Sequence, residues 1–284
     1  MTELAGLRAL VTGASSGIGA AIARQLASRG ASLVLTARRR GALDEVAASC
    51  AGAEVDVVVA DLGAPGGAAA VWNAASALGA IDICVNNAGF GYFRPFGEVD
   101  WARDAEMVQL NIMSLVELSK RFVQAAPRGY LMNIASIGAY QSVPNMALYA
   151  ASKAFVRNFT EGLHDELRGG ELSATCICPG GTHTAFHAAA GAGNYGWLAN
   201  LSMMTADQVA AISVRAMLRR RRTVIPGVMN KLSCWGVRLV PRRMASWLAR
   251  RVLGTPRPGE LPPRPHVTDR DHPGSGPGDS GVAA

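Results

Sequence analysis

The alternation of short apolar segments with longer helical ones constrains the fold of this chain more than any other feature. Six apolar segments are nearly continuous in Val, Ile, Leu, Ala and Cys, at residues 7–13, 32–38, 55–61, 81–89, 129–136 and 172–180. Strands that are covered on both faces have this composition, whereas half-exposed strands alternate apolar with polar residues. Helical patterns fill the intervals, at residues 17–30, 40–50, 65–79, 104–126 and 147–169, and a helix at 206–220 and a strand at 223–227 follow.

This strict alternation predicts right-handed βαβ units and an α/β fold. The expected architecture is a doubly wound, mostly parallel sheet of about seven strands with helices on both faces, a Rossmann-like arrangement. Ligands of such sheets bind beyond the carboxyl ends of the strands. The chemistry is therefore expected in the segments that follow the strands.

The segment TGASSGIG, residues 12–19, follows the first strand and opens a helix. Its three glycines let the backbone turn tightly and approach a pyrophosphate at the helix N-terminus, where free N–H groups and the helix dipole favour anions. A glycine trio in this context predicts a dinucleotide site. Its residues are Thr12, Gly13, Ser15, Ser16, Gly17, Ile18 and Gly19.

A second pattern lies in ALYAASKAF, where Lys153 follows Tyr149 by four residues. The chain has only three lysines against 25 arginines, so this lysine needs a reason. On a helix the two side chains share one face, and a compact ammonium fits beside a phenol better than a planar guanidinium does. The ammonium would stabilise the phenolate and bring the tyrosine pKa from about 10 towards the working range of an acid–base catalyst.

The ordered set of motifs resembles the short-chain dehydrogenase/reductase family, in its single-domain type of roughly 250 residues. The set comprises Thr12-Gly13-x-x-x-Gly17-x-Gly19, Asn86-Asn87-Ala88-Gly89, Ser136, Tyr149-x-x-x-Lys153 and Pro179-Gly180, and it spans residues 7–227. The resemblance implies a catalytic tetrad of Asn111, Ser136, Tyr149 and Lys153. It implies further cofactor contacts from Asp61, Leu62, Asn87, Ala88, Gly89, Tyr149, Lys153, Pro179, Gly180, Thr182 and Thr184. Members of the family often form homo-oligomers through their long helices, and this chain is expected to do so.

The residue types agree with the implied roles. Ser136 ends a strand, where its hydroxyl can hydrogen-bond a substrate oxygen as charge develops. Asn111 lies in an apolar helical segment, and a buried amide without a partner is costly. Asn111 is therefore expected to hold a water that links Lys153 to solvent. Taken singly, Ser136 and Asn111 also fit purely structural roles.

The residues after the second strand predict NADP(H) as the cofactor. NAD-binding sites commonly carry an acid about 20 residues past the glycines, to accept hydrogen bonds from the ribose 2′-hydroxyl. This chain has Ala37 there, followed by Arg38, Arg39 and Arg40. A guanidinium grips a 2′-phosphate with two parallel bonds, and Arg38 is the predicted contact. For Arg39 and Arg40, solvation of a helix start is an equally good explanation.

Charge and cysteine content limit the partners and the compartment. Residues 208–259 hold twelve basic residues and no acid, while the rest of the chain carries 16 basic and 21 acidic residues. The net charge of +7 thus describes one segment, and no nucleic-acid binding is expected. Five cysteines without a C-x-x-C pair suit small buried thiols in a reducing compartment, so a cytoplasmic location is expected. The N-terminal residues do not have the pattern of a signal peptide.

Two stretches should line the substrate side, at residues 90–96 and 184–204. Both are aromatic or apolar with hardly a charge apart from Arg94, which predicts a hydrophobic ketone or alcohol such as a ketoacyl, sterol-like, polyketide-like or aliphatic compound. His183 and His187 in this region have helical spacing but lack a third ligand, so no metal site is expected.

Three regions are expected along the chain: a dinucleotide-binding catalytic domain at 1–227, a basic amphipathic segment at 228–254 and a Pro/Gly-rich, disordered tail at 255–284. In the middle segment, Met244, Trp247, Leu248 and Val252 recur at helical spacing among arginines. Such a helix suits a membrane interface beside anionic lipids. Alternatively, it packs over the substrate pocket or a partner subunit, and this interpretation is slightly favoured at this point.

Two other functions remain open on sequence grounds. A non-catalytic dinucleotide-binding redox sensor would share the fold, but it has no need of the Tyr149 and Lys153 pair. An extended-type sugar epimerase or dehydratase would need a substantial substrate domain, and only a short basic segment follows residue 227. A reductase that uses Tyr149 as acid–base catalyst fits best.

Overall fold

Seven parallel strands form the central sheet of the computed structural model, which describes residues 3–183 and 203–253. These strands are β1 (Arg8–Thr12), β2 (Ser32–Ala37), β3 (Val55–Val59), β4 (Ile83–Asn86), β5 (Gly129–Ile134), β6 (Leu172–Ile177) and β9 (Thr223–Val224). A separate parallel ribbon pairs β7 (Thr182–His183) with β8 (Met204–Thr205). The order in the sheet is β3-β2-β1-β4-β5-β6-β9. The predicted doubly wound sheet is thus confirmed.

Nine helices accompany the strands in the described residues. They are α1 (Gly17–Ala27), α2 (Arg40–Ser49), α3 (Gly67–Ala77), α4 (Trp101–Val108), α5 (Leu115–Ala125), α6 (Ala147–Glu166), α7 (Ala206–Leu218), α8 (Val228–Gly236) and α9 (Arg242–Leu253). Alternate strand residues face opposite layers, because side chains alternate along a strand. Val11 and Val85 pack with α1 and α7, whereas Leu10 and Cys84 pack with α3 and α5. Coverage of both faces explains the continuous apolar runs.

The strand order creates a crevice at the carboxyl edge of the sheet. The chain runs outward from β1 through β2 to β3, then crosses back so that β4 lies on the other side of β1. Val11 of β1 is in register with Val85 of β4. The loops that leave these two strands diverge, and ligands of open α/β sheets bind at such a point.

The long helix predicted at 104–126 differs from the structure in one respect. It begins at Trp101 and is interrupted by a π-helical turn, Gln109–Ser114, between α4 and α5. A π turn inserts one residue and rotates the following side chains, and such turns are frequent at functional sites. Here Asn111 is fully buried while Met113 is exposed.

The last sheet strand is shorter than predicted, because it ends at Val224 instead of residue 227. Ile177 of β6 pairs with Val224, and Cys178 N still donates to Val224 O. Pro226 then has no N–H to offer the ladder, and Gly227 turns away with φ of 87°. Residues 184–202 and 254–284, which include most of the predicted substrate lid and the Pro/Gly-rich tail, lie outside the described residues.

Candidate active site

The glycine-rich loop is built on two left-handed glycines and one close contact. Gly13 and Gly17 have φ of 63° and 58°, a region that only glycine adopts at low cost. A Cβ on Gly19 would collide with the Gly13 carbonyl and the Asn87 amide. The loop therefore lies flat against the start of α1, with Ser16 extended at the N-cap position. A pyrophosphate fits this geometry. Because glycine has no side chain, the ligand can approach the N–H groups at the start of α1 closely.

Thr12 and Asn87 tie this loop to the segment after β4. Thr12 Oγ1 donates to Val85 O at 3.1 Å and accepts from the backbone N–H groups of Asn87 and Ala88, each at 3.0 Å. In return, Asn87 Nδ2 donates to the carbonyl oxygens of Thr12 and Gly13 at 3.0 and 3.1 Å. Thr12 is nearly fully buried, so its hydroxyl shapes the two loops that flank the crevice.

Three glycines bring the four predicted catalytic side chains together. A Cβ on Gly91 would lie 2.5 Å from Tyr149 Cδ2, so the ring packs directly on the backbone of residue 91. The Cβ position of Gly138 lies 3.5 Å from Ser136 Oγ and 3.9 Å from Tyr149 Cε1. Both Ser136 and Tyr149 therefore lie close to Gly138.

The Cβ position of Gly89 marks the other end of the cluster. It lies 2.9 Å from Asn111 Oδ1 and 3.3 Å from Lys153 Nζ. The sequence thus located all four side chains of the cluster. It did not reveal that Gly89, Gly91 and Gly138 make room for them.

Lys153 is held one turn beyond Tyr149 on α6. Its Nζ lies 5.9 Å from the centre of the Tyr149 ring and donates to Ile134 O at 2.9 Å. Only 5% of the residue is exposed, and this burial lowers the pKa of Lys153 from 10.5 to about 8. The bond to the Ile134 carbonyl uses only one of the three N–H groups of the ammonium, so the ammonium can donate further hydrogen bonds.

The buried amide of Asn111 was expected to bind a water, but in the structure it forms hydrogen bonds with other protein groups. Its Nδ2 donates to Phe90 O at 2.9 Å and to Ser152 Oγ at 3.1 Å, and its Oδ1 accepts from Phe90 N at 3.1 Å. Protein groups therefore supply three hydrogen bonds to the Asn111 amide. The π turn directs this side chain towards Phe90, in the segment after β4. A carbonyl oxygen has two lone pairs, so Oδ1 can accept one more donor. The role of a relayed water stays a prediction.

The three arginines after β2 have different surroundings. Arg40 Nε donates to Asp44 Oδ1 at 3.0 Å on the exposed side of α2. Arg38 Nη1 lies 4.0 Å from Asp61 Oδ2 and 3.8 Å from Glu106 Oε1, and Arg39 Nη2 lies 3.4 Å from Ser15 Oγ on the glycine-rich loop. Arg38 and Arg39 thus both border the crevice.

Glu106 is a site residue that the sequence did not indicate. It lies on α4 and is 8% exposed, although nothing in the local pattern sets it apart from the surface acids of a helix. Its carboxylate and that of Asp61 flank the Arg38 guanidinium. Asp61 is fixed in turn, since its Oδ1 accepts from Gly63 N at 2.8 Å. Next to it, Leu62 O accepts from Ser114 Oγ at 2.6 Å, which joins the strand end to the π turn.

The loop after β6 closes the crevice on the other side. Pro179 O accepts from Ile137 N at 2.9 Å, and Thr182 Oγ1 donates to Gly180 O at 3.2 Å. The buried Asn230 side chain of α8 packs on Gly180 and donates to Pro226 O at 2.9 Å. Sequence reasoning missed Asn230, whose signal is a single amide among the apolar residues after residue 227. Thr184 lies outside the described residues.

The predicted substrate-side stretch at 90–96 is more deeply buried than expected. Tyr92, Phe93 and Arg94 are buried, whereas Phe96 is exposed. Arg94 N donates to Asn145 O at 2.8 Å, and the Arg103 guanidinium lies 5.3 Å above the Phe90 ring. The stretch therefore anchors the chain beside Tyr149, and part of its aromatic surface belongs to the interior.

The described residues lack two features that would point to particular partners. They contain no group of three His, Cys, Asp or Glu side chains arranged to hold a metal ion. No helix within the same residues has the length and apolar character that crossing a bilayer requires.

All five cysteines are buried free thiols, and Cys176 Sγ lies 3.7 Å from Cys178 Sγ, on the same side of the chain as predicted.

The crevice, the glycine-rich loop and the Tyr149 cluster are those of a nicotinamide-dependent oxidoreductase. The family model for short chain dehydrogenases matches residues 8–195. The chain therefore belongs to the short-chain dehydrogenase/reductase family, as its motifs predicted.

Individual relatives agree with this assignment. The chain is 34% identical over 185 residues to the very-long-chain 3-oxoacyl-CoA reductase of Anas platyrhynchos, a match that spans 61% of this chain and 59% of that reductase. It resembles the structure of a short-chain dehydrogenase from Sphingobium yanoikuyae in complex with NADPH, with 31% identity, a TM-score of 0.71 and coverage of 82% of this chain and 94% of that one. A family member from Burkholderia phymatum in complex with NAD gives 27% identity, a TM-score of 0.72 and coverage of 84% and 96%.

Proposed function

We propose that this chain reduces the carbonyl group of a hydrophobic substrate to an alcohol with NADP(H), and that Tyr149 is the proton donor. The observation that carries the proposal is the cluster itself: the Tyr149 ring packs on Gly91, Ser136 and Tyr149 both approach Gly138, and buried Lys153 follows one turn along α6. NADPH, when bound, would supply the hydride. The residues of the chain hold the carbonyl and provide the proton.

Tyr149 and Ser136 act on the substrate oxygen in this proposal. Ser136 Oγ accepts from Gly138 N at 3.1 Å, which orients the hydroxyl proton away from residue 138. Two hydroxyl donors at the carbonyl oxygen stabilise the negative charge that develops as the carbonyl is reduced. The Tyr149 proton then passes to that oxygen, and the new O–H bond completes the alcohol.

Lys153 and Asn111 support that transfer. The ammonium of Lys153 lies close to the phenol and stabilises the phenolate that remains after proton donation. Asn111 is a positioning residue, because its amide fixes the backbone of Phe90 and thereby the segment on which the Tyr149 ring rests. A water that donates to Asn111 Oδ1 would link Lys153 to solvent. Along this path a proton could return to the Tyr149 phenolate.

Preference for NADP(H) rests on Arg38 and Arg39. Arg38 Nη1 lies 4.0 Å from Asp61 Oδ2 and 3.8 Å from Glu106 Oε1 at the border of the crevice, where a guanidinium can form charge-assisted bonds with a 2′-phosphate. Arg39 approaches the same loop from the Ser15 side. Ala37 offers no carboxylate to repel the phosphate. Structural relatives are known in complex with NADPH or with NAD, so the proposed preference rests on the residues of this chain and not on the family.

A hydrophobic substrate is supported by the aromatic residues at 90–96 and by the reductase of 3-oxoacyl-CoA among the relatives. The direct test is to mix the full chain with NADPH and a panel of ketones that runs from aliphatic and 3-oxoacyl compounds to sterol-like ones, and to follow the loss of nicotinamide absorbance. We expect turnover with at least one bulky apolar ketone and none with phosphorylated sugars. The opposite selectivity would contradict the proposed substrate class, and NADPH binding without turnover of any ketone would favour a redox sensor.

We further propose that the protein is a homo-oligomer in a reducing, cytoplasmic compartment. Met113 and Phe155 are exposed on the π turn and α6, and Phe155 stacks on Phe159 with ring centres 6.0 Å apart. Exposed apolar side chains on these long helices suit a contact between copies. Light scattering would detect the oligomer, and Phe155→Ser should shift it towards monomer.

A further inference from the structure

The segment after β9 exposes an unusual share of large apolar side chains. Thirteen such side chains are exposed in the described residues, and eight of them lie at residues 228–248. We refer to these eight as the C-terminal apolar surface: Val228, Met229, Leu232, Trp235, Leu239, Met244, Trp247 and Leu248. Scattered exposed apolar residues are normal, but a concentration of this size marks an interaction site.

Both helices of the segment bury their small or polar side and expose their bulky side. In α9, Ala245 and Ala249 are buried, whereas Met244, Trp247 and Leu248 share the outward face by their i, i+3, i+4 spacing. In α8, Asn230 and Cys234 are buried, whereas Leu232 and Trp235 face outward. A surface helix ordinarily buries its large apolar side chains. The apolar stripe of α9 is thus exposed, and it does not pack against the rest of the described residues.

The charges around this surface are all of one sign. Six cations accompany it, and all are exposed: Lys231, Arg238, Arg242, Arg243, Arg250 and Arg251. None of the six forms an ion pair with a carboxylate of the described residues, and the sequence has no acid at residues 208–259. Arg251 extends over the Trp247 ring, with 4.9 Å between the guanidinium carbon and the ring centre. The partner must therefore be both apolar and anionic.

Three other occupants fit these properties poorly. A second copy of the same surface would bring six cations against six cations. Residues 254–284 hold only Leu261, Val267 and Val282 as larger apolar residues, too few to cover eight side chains. A nucleic acid would neutralise the arginines but would leave Met229, Leu232 and Leu248 in water, because phosphate backbones offer no apolar surface.

We propose that the C-terminal apolar surface binds the interface of an anionic lipid bilayer. Tryptophan, leucine and methionine side chains would enter the boundary between headgroups and acyl chains, and the six cations would contact lipid phosphates and carboxylates. Each helix lies in the plane of the interface, since neither crosses a bilayer. The proposal does not depend on the reaction that the active site performs, because it rests on residues outside the Tyr149 cluster.

Flotation of the full chain with vesicles tests the proposal. Vesicles of phosphatidylcholine alone are compared with vesicles that also contain phosphatidylserine, at low and at high salt. We expect binding to the anionic vesicles that weakens as salt rises, because each exposed cation near the surface contributes about a fivefold gain in affinity at low ionic strength. Binding that is equal for the two vesicle types, or absent from both, would overturn the proposal.

Two pairs of variants assign the binding to this surface. The double substitution Trp235→Ser with Trp247→Ser should abolish flotation, whereas Trp101→Ser, which removes the even more exposed tryptophan of α4, should leave it unchanged. Arg243→Gln with Arg250→Gln should weaken binding about 25-fold, on the value of about fivefold for each cation. The control Arg219→Gln with Arg221→Gln removes two exposed cations outside the segment and should have no effect.

Other outcomes of the same experiment would point elsewhere. If the tryptophan pair lowered the molecular mass in light scattering, the surface would be a contact between copies and the proposal would be wrong. If it abolished turnover of a water-miscible ketone without vesicles, the surface would serve the active site instead. If an oligonucleotide displaced the chain from vesicles and the arginine pair alone abolished both interactions, the partner would be a nucleic acid.

Discussion

The contact between Gly91 and the Tyr149 ring predicts that turnover depends on the position of the phenol, even when its chemistry is unchanged. A Cβ at residue 91 would lie 2.5 to 3.1 Å from three ring atoms, so Gly91→Ala must displace the phenol. A displacement of about 1 Å at a reacting group lowers turnover by about a hundredfold. Steady-state kinetics with a competent ketone measures this effect. The matched control is Gly97→Ala, where nothing lies within 4 Å of the added methyl group, and equal loss in both variants would contradict the assigned contact.

The buried lysine makes the reaction dependent on pH. With its pKa lowered to about 8 by burial, Lys153 is an ammonium below that pH and neutral above it. The charged form stabilises the phenolate, so kcat/KM for carbonyl reduction should stay level below pH about 8 and fall above it. A profile measured with saturating NADPH checks the sign. A rate that rises through this range would contradict the assigned role of Lys153.

Arg38 and Arg39 separate the two nicotinamide cofactors. Loss of a charge-assisted bond costs about 1.5–3 kcal/mol, so Arg38→Ala should weaken NADPH binding about ten- to a hundredfold and leave NADH binding nearly unchanged. Arg39→Ala should act in the same direction, because it lies 3.4 Å from the glycine-rich loop. Arg40→Ala is the control, since Arg40 pairs with Asp44 on α2. Equal losses for NADPH and NADH, measured by fluorescence titration, would place Arg38 away from the 2′-phosphate.

At the scale of elements, the π turn between α4 and α5 connects stability with activity. Asn111→Ala would leave Phe90 N, Phe90 O and Ser152 Oγ without their amide partner, and an unsatisfied buried group costs about 1–3 kcal/mol. We expect a lower free energy of unfolding and a lower kcat, because the segment that carries Gly91 is released. Asn73→Ala on the exposed face of α3 is the control. Unchanged stability and activity would show that the Asn111 amide does not hold the Phe90 segment in place.

The elements themselves were largely predictable, and the exceptions have physical causes. Strands β1 to β6 follow from continuous apolar runs, because burial on both faces leaves no room for polar residues. The π turn does not follow from sequence, since Gln109–Ser114 keeps a helical pattern and the extra residue is set by the Asn111 bonds to a distant segment. The outward face of α9 could not be predicted either, because its spacing fits a packed helix equally well. Only the structure shows that Ala245 and Ala249 take the inner side.

The candidate site was predictable to a similar degree. The glycine-rich loop, the segment 86–89 and Ser136 each follow a strand of one parallel sheet, and such strand ends share an edge, so their proximity follows from the fold. Tyr149 and Lys153 are linked by helical spacing on α6. Residues that act through tertiary contacts were missed, because nothing in the sequence identifies the residue that they contact. Glu106 approaches Arg38 from another helix, and Asn230 reaches Gly180 from α8, so neither is linked to its partner by any spacing along the chain.

At the scale of the whole molecule, the fold carries two surfaces for which we propose different tasks. The carboxyl edge of the sheet gathers the glycine-rich loop, the arginines after β2 and the Tyr149 cluster around one crevice. The C-terminal apolar surface lies on α8 and α9, and the buried Asn230 of α8 packs on Gly180 beside this region. If both proposals hold, membrane binding would bring the crevice close to apolar ketones that are dissolved in lipid. The two proposals are nevertheless tested by different variants, and either can fail alone.

The central claim is that Tyr149 gives its proton to the substrate carbonyl. The most direct measurement is single-turnover oxidation of bound NADPH by a competent ketone in Tyr149→Phe, with Tyr130→Phe as a control on β5 outside the cluster. The ring of phenylalanine still packs on Gly91, so NADPH binding should be retained, while the rate should fall about 10²- to 10⁴-fold because general acid catalysis is lost. A near-normal rate in Tyr149→Phe would contradict the proposed chemistry.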